Sequence, residues 1–199
     1  MAIADILLTG ATVWYAPVDE DLPADSTAYG ADLGGNWVSV GFTTTPLTLS
    51  IDRELYEVMV EQLSTPVKRS VVKDSAVFET TLAEFTGDNL ALAFNGGEVT
   101  PTAAGPAQVG KTELEWGGST SLDAYAWCFE GKYQDSSNNN FPVRLFVYSG
   151  EAVLNGQLSF AKGKEAGIPL QITCQPDTSR DAGKQILMIQ KVTAAATGS

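Results

Sequence analysis

Histidine is absent from this 199-residue chain, which removes both the commonest general base near neutral pH and the commonest neutral metal ligand. Without it the usual Ser-His and Cys-His nucleophilic arrangements cannot be assembled, and no G-x-S-x-G elbow stands in the sequence. Cysteine is scarce. Cys128 and Cys174 lie in apolar stretches, Tyr-Ala-Trp-Cys-Phe and Leu-Gln-Ile-Thr-Cys. They read as two buried free thiols of a cytosolic fold, the alternative being a disulfide between neighbouring strands. No apolar run approaches membrane-spanning length and the start, Met-Ala-Ile-Ala-Asp-Ile-Leu-Leu, has no basic region, so neither insertion nor export is expected. Positive charge is missing from a whole segment: residues 1–52 carry Asp5, Asp19, Glu20, Asp21, Asp25, Asp32 and Asp52 with no Lys or Arg. The formal net charge is −12, and such a chain repels nucleic-acid phosphates rather than gripping them.

What is present points to a globular β protein. Hydrophobic residues make up 44% of the chain, with four Trp, six Tyr and eight Phe, enough for one substantial core. Surface scaling predicts about 9,000 Å² exposed when folded. One domain over 1–199 is expected, with an N-terminal arm over about 1–10 and a small polar C-terminal tail over 193–199. Short alternating runs give strand candidates at Thr12–Ala16, Trp37–Phe42, Ala124–Tyr133, Val143–Tyr148, Val153–Phe160 around the Asn155-Gly156 turn dipeptide, Ile168–Cys174 and Gln185–Val192. Residues 17–36, 98–110 and 134–140 read as surface loops.

The most informative stretch runs from Leu47 to Glu84. In Leu47-Thr-Leu49-Ser-Ile51 the odd positions are apolar, but in Tyr56-Glu-Val58-Met-Val60 the even ones are. A period-2 pattern changes phase only through a bulge, bend or break, so the segment near Asp52–Glu54 is a curved strand or a corner. After Ser64-Thr65-Pro66 the chain returns with Ala76, Phe78, Thr80 and Leu82 on one face and Val77, Glu79 and Thr81 on the other, which predicts a long β-hairpin. One short helix follows over about 87–94. Thr86 is its cap, Phe85 and Leu90 are spaced as a staple, Asp88 suits the first turn and Asn95-Gly96-Gly97 ends it.

One motif carries apparent chemistry. Gly105, Gly110, Lys111 and Thr112 satisfy G-x-x-x-x-G-K-[ST], the loop whose backbone amides wrap phosphates. The context contradicts it: Pro101 and small residues precede it in place of a buried strand, Gly117-Gly118 stops any following helix, and alternating βα units are missing. The match reads as chance, and no cofactor or metal is expected. The acidic run Asp19-Glu20-Asp21 with Asp25 lacks the glycine and closing Glu of a calcium loop and reads as solvated. The carboxylate pairs Glu113/Glu115 and Glu57/Glu61 read as strand surface rather than as glycosidase acid and base. Trp14, Tyr15, Trp37, Trp116 and Trp127 sit in apolar or alternating runs and read as core or subunit contacts rather than a sugar platform.

Taken in order, Leu8-Thr-Gly-Ala-Thr-Val13-Trp14-Tyr15-Ala16-Pro17, an acidic loop with Pro23, and Trp37-Val38-Ser-Val40-Gly41-Phe42-Thr43 resemble the opening of major tail tube proteins of long-tailed, siphovirus-like bacteriophages. Phe78-Glu-Thr-Thr-Leu82-Ala-Glu84-Phe-Thr86 is similar to their long strand pair running into a helix start, and Ile168-Pro169-Leu170-Gln-Ile172 through Asp177, with Gly183 and Ile186, to their final strands. Residues 98–164 carry no such likeness. The resemblance implies a β-sandwich or partly closed barrel with one flanking helix. It implies six copies in a ring whose hairpins form an inner barrel, rings stacked as a tube in the virion tail, and assembly in the host cytoplasm. Partners would be the chain itself and the tape-measure, tail terminator and distal tail proteins, with DNA passing through unbound. In such a ring Asp52, Glu54, Glu57, Glu61 and Glu79 are the candidate lumen-facing acids. The alternatives are the tube of a contractile tail or related secretion system, and a soluble β-sandwich binding or decoration module.

Overall fold

The computed structural model describes residues 10–135, 138–158, 160, 162 and 166–194. The expected N-terminal arm and most of the C-terminal tail lie outside them. In chain order the elements are β1 (Thr12–Pro17), β2 (Val38–Ser39), β3 (Thr48–Val58), β4 (Lys68–Leu82), α1 (Gly87–Ala93), β5 (Glu98–Thr102), β6 (Lys111–Glu115), β7 (Ala124–Gln134), β8 (Asn140–Leu154), β9 (Ile168–Gln175) and β10 (Leu187–Lys191). Eight strands make one antiparallel sheet in the order β2-β1-β7-β8-β9-β4-β3, with β10 pairing β8 beside β9's end. β5 and β6 form a separate two-stranded sheet.

The large sheet curls. Phe78 of β4 stacks on Phe129 of β7 with ring centroids 4.3 Å apart, although β8 and β9 lie between those strands in the sheet. Inside the curl sits the main core, including Val13, Phe78, Leu82, Trp127, Phe129, Ile168 and Ile172. The two ends of the sheet approach through the segment after β2, where Thr43 bridges Leu82 and the Thr44 amide donates to Thr81 at 2.8 Å. The sheet does not close as a barrel.

α1 plugs this core with Leu90, Leu92 and Ala93. The Thr86 side chain caps it by accepting from the Asn89 amide at 3.2 Å. Two buried asparagines fix its ends: Asn89 donates to the carbonyls of Val40 and Glu84, and Asn95 to those of Asp123 and Ala152. Phe85 does not turn inward as a staple would; its ring meets Phe160 at 6.0 Å and stays half exposed.

The convex face of the sheet is covered by the acidic loop over 18–37. Leu33 and Trp37 pack there against Cys128 and Phe146, and a buried ion pair ties the loop down. Arg144 Nε donates to Glu130 Oε1 at 3.0 Å and its Nη2 donates to the Thr27 carbonyl at 2.6 Å. Glu130 Oε2 accepts from the Gly30 amide at 2.9 Å. Both side chains are fully buried, and such burial is tolerated because each polar atom finds a partner. Cys128 is buried, Cys174 is partly so, and both are free. Burial pushes each thiol up to about 12.

Several sequence expectations change. Residues 98–102 form a strand, not a loop: Val99 stands opposite Leu114 and the pair lies next to α1, and Pro101 is admissible because β5 pairs on one side only. The strand expected over Val143–Tyr148 and the first two residues of the one expected over Val153–Phe160 are one, β8, which passes through Gly150; residues 155–158 and 160 are not strand, and 159 lies outside the described residues. At Gly150 the Trp127 indole Nε1 donates to the backbone carbonyl at 3.0 Å, and an added Cβ would meet that ring at 3.2 Å and Ile172 at 3.0 Å. Asn155-Gly156 ends β8 and opens the long connection to its antiparallel partner β9 instead of making a tight two-residue turn. Of Trp37–Phe42 only two residues pair as a strand.

Candidate functional site: an exposed hairpin arm

β9 pairs with β4 only over Val77–Leu82. Beyond Ala76, therefore, among the described residues β3 and β4 have only each other, and the hairpin leaves the body as a two-stranded ribbon. From Asp52 to Val58 it extends about 20 Å.

The expected change of phase is present, but its irregularity lies on the returning strand. Glu54 pairs with Lys73 and Leu55 with Val71, leaving Val72 as the extra residue of a bulge. β3 itself runs through unbroken. Directly opposed residues share a face, so the register sorts the arm in two. The face continuous with the core carries Leu49/Phe78, Ile51/Ala76, Arg53/Asp74, Leu55/Val71 and Glu57/Arg69. The reverse face carries Thr48/Glu79, Ser50/Val77, Asp52/Ser75, Glu54/Lys73, Tyr56/Ser70 and Val58/Lys68. One face is thus apolar with crossed ion pairs, the other chiefly polar.

Arg53 Nε reaches Asp74 at 2.6 Å and Arg69 Nε reaches Glu57 at 2.8 Å; the bond to Asp74 raises the Arg53 pKa further. Both pairs are solvent-exposed, so each adds little to stability. A lone two-stranded ribbon is marginal in water. Against this weak support the arm leaves large apolar groups uncovered: Ile51, Leu55, Tyr56, Met59, Leu63 and Val72 are 45–64% exposed. Such a concentration of apolar surface on an unpaired edge is what a soluble monomer avoids and a subunit interface uses. At the base of the apolar face, a groove of about 330 Å³ lies between Ile51, Arg53, Asp74 and Ala76 on one side and Gly183, Gln185, Ile186 and Leu187 on the other.

The five candidate acids do not form one cluster. Asp52, Glu54 and Glu79 share the reverse face. Glu57 is on the core-side face, paired with Arg69, and Glu61 lies in the tip turn. Glu79 also accepts from Asn155 Nδ2 at 3.2 Å. The phosphate-loop match is divided by a strand boundary. Gly105 and Gln108 close a tight turn at the end of the β5–β6 hairpin, and Lys111 and Thr112 belong to β6, where Lys111 Nζ pairs with Glu113 at 2.7 Å. An exposed strand follows the lysine where phosphate binding requires a helix N-terminus. Among the described residues no three His, Cys, Asp or Glu side chains are grouped to hold a metal. Glu20 is occupied by the amide and side chain of Asn36 at 2.9 and 2.7 Å, and Asp25 accepts from Gln190. Trp127 and Trp37 are core residues, whereas Trp116 lies largely exposed at the edge of α1, 6.0 Å from Phe94.

Sequence reasoning missed the Glu130–Arg144 pair that anchors the acidic loop. The signal was available: Glu130 is in phase with Ala126 and Cys128, and Arg144 with Phe146, so two opposite charges occupy inward positions of apolar strands.

No curated protein matches the chain. A family model described as phage tail tube protein matches residues 5–194, and so includes 98–164, where the sequence motifs had shown no likeness. That family is structural rather than enzymatic, and an open β arm on a curled sheet is consistent with a part made to be joined to copies of itself. The chain belongs to the phage tail tube protein family.

Proposed function

We propose that six copies of this chain close into a ring by pairing their arms edge to edge, and that rings stack head to tail as the tube through which DNA leaves the virion. The observation that carries this reading is the arm, with its outer β3 edge and the Lys68–Ala76 edge of β4 both unpaired among the described residues. Rotational symmetry preserves strand direction along the axis. A β3 edge laid against the β4 edge of the next copy is therefore antiparallel, like the pairing within each arm, and the series can repeat until it closes.

The apolar face of the arm is continuous with the core of its own subunit, so the reverse face from Thr48 to Glu54 is the one assigned to the lumen, and Tyr56 and Val58 beyond it are left to contacts with neighbouring copies. It would present Asp52, Glu54 and Glu79 with Ser50, Ser75 and Lys73. The hairpin from Thr48 to Leu82 holds six acids against four bases, a mild excess that lets phosphates slide without binding. Glu57 and Glu61 contribute charge on the core-side face of the wall and at its rim. The tape-measure protein would set length, terminator and distal tail proteins would cap the ends, and assembly would take place in the host cytoplasm.

Negative-stain microscopy of the purified chain across a concentration series tests the proposal. Hollow rings or tubes are expected at high concentration. A persistent monomer, even with the tape-measure protein present, would overturn it.

A further inference from the structure

The chain contains the dipeptide Asn-Gly twice, at Asn95-Gly96 and Asn155-Gly156, and the fold treats the two in opposite ways. Glycine after asparagine leaves the following backbone amide sterically open to the side-chain carbonyl carbon. Asn95 is buried and all its polar positions are used. Its Nδ2 donates to the Asp123 and Ala152 carbonyls at 2.8 and 3.0 Å, and its Oδ1 accepts from the Asp123 amide at 2.7 Å. Turning that carboxamide toward Gly96 would break all three bonds, the one to Ala152 fully buried. Asn155 is exposed at the end of β8, with one side-chain bond, Nδ2 to the exposed Glu79 carboxylate at 3.2 Å. Among the described residues nothing accepts from the Gly156 amide, and Gly156 has a φ of 139°, a backbone that only glycine adopts easily.

We propose that Asn155 is a site of spontaneous modification, converting to aspartate and isoaspartate through a cyclic imide while Asn95 is preserved. In the first step the Gly156 backbone nitrogen attacks Asn155 Cγ. The N–Cγ bond forms, the Cγ–Nδ2 bond breaks, and the side-chain NH₂ departs as ammonia with the proton from the Gly156 amide. In the second step water opens the ring at either carbonyl, giving aspartate when the new bond breaks and isoaspartate when the original peptide bond does. No oxidant or enzyme is needed. The product replaces a hydrogen-bond donor facing Glu79 with a second carboxylate, so a contact between the β8 terminus and β4 becomes a repulsion. Because Glu79 lies on the polar face of the hairpin at its base, the modification adds negative charge there with time.

The test is peptide mapping by mass spectrometry, with isoaspartyl methyltransferase labelling, of folded protein held in warm, mildly alkaline buffer. A denatured sample is aged in parallel. In the folded protein the peptide containing Asn155 should gain about 1 Da and accept methyl label, with the Asn95 peptide unchanged. In the denatured chain both should convert at similar rates. Asn155→Gln, which disfavours the five-membered imide, should abolish labelling while leaving the melting temperature in place. Retention of the amide at Asn155 over a period in which the denatured chain converts, or equal conversion of both sites in the folded protein, would overturn the proposal.

Discussion

Replacing Ile51 by Thr separates folding from assembly more cleanly than any other single change in the arm. Ile51 is 64% exposed and faces the groove at the base of the arm. Thr keeps the β-branched shape and strand propensity while removing apolar surface. In the isolated subunit little burial is lost, so stability should stay within about 0.5 kcal/mol, a melting shift of no more than about 2 °C. In an assembly that covers the arm, the exposed two-thirds of the side chain would be buried. At about 1.5–3 kcal/mol for a whole Ile side chain, the loss is about 1–2 kcal/mol per contact. Each subunit contributes one such contact whatever the ring number, so the critical concentration for assembly should rise about 5- to 30-fold. Sedimentation velocity and light scattering across a dilution series measure it, with Phe78→Ala as the contrasting variant. Phe78 is fully buried, and its truncation should cost about 3–5 kcal/mol of subunit stability. An unchanged critical concentration for Ile51→Thr would refute the claim that this face of the arm is covered in the assembly.

Glu130→Gln leaves Arg144 buried opposite a neutral group and should cost about 3–5 kcal/mol, lowering the melting temperature by about 6–20 °C and opening the acidic loop to limited proteolysis between 18 and 36. Lys111→Ala should leave the melting temperature within about 2 °C of the parent, because it removes an exposed pair with Glu113, and ATP should stabilise neither protein in a thermal-shift assay. The two thiols give a signed pH effect. In the fold they titrate near 12 because burial opposes the thiolate, whereas in the unfolded chain they titrate near about 8.5. Their contribution to stability is present in full below the unfolded value and declines as pH rises from there toward 12, with a slope of about 1.4 kcal/mol per pH unit per thiol. Denaturant titrations at pH steps above neutrality, compared with Cys128→Ala, should show that decline reduced in the variant, and Ellman's reagent should react slowly until denaturant is added.

Local pattern located most of the elements because local forces decide them. Thr86, Asp88 and Gly96 bracket α1 with cap, charge and terminator, and the helix ends within one residue of its expected limit. Ala76, Phe78, Thr80 and Leu82 alternate inward as their spacing requires. The failures occur where pairing partners outrank local signals. Asn155-Gly156 is a strong turn dipeptide, yet Gly150, the less conspicuous glycine, is where β8 passes beneath Trp127, a requirement visible only once β7 and β9 flank it. β5 escaped notice because Pro101 and small residues dilute its pattern, and its partner lies beyond an eight-residue turn.

The arm is a different case, because its pattern is only partly explained by its own chain. Up to Ile51 the apolar positions of β3 follow the core of the subunit. From Tyr56 to Val60 they follow nothing in it, since Tyr56, Met59 and Val60 are exposed and β3 crosses the change of phase without a bulge of its own. A strand whose pattern reverses while its backbone continues is being read on opposite faces at its two ends. Near the body the reader is the domain's own core; toward the tip the only surfaces available are those of other chains. A sequence selected solely for a monomer would keep one phase and put charge at 56, 58 and 60, as edge strands commonly do. Retaining Tyr, Val and Val at these places carries an aggregation hazard that is avoided only if an ordered partner reaches the ribbon first. The phase reversal thus bears on the surroundings of the arm as much as on its curvature. Placing Lys at Val58 and Val60 should therefore leave the melting temperature of the dilute subunit within about 2 °C while abolishing tubes under the microscope. If tubes persist with both substitutions, the tip faces solvent in the assembly and the reversal has another cause.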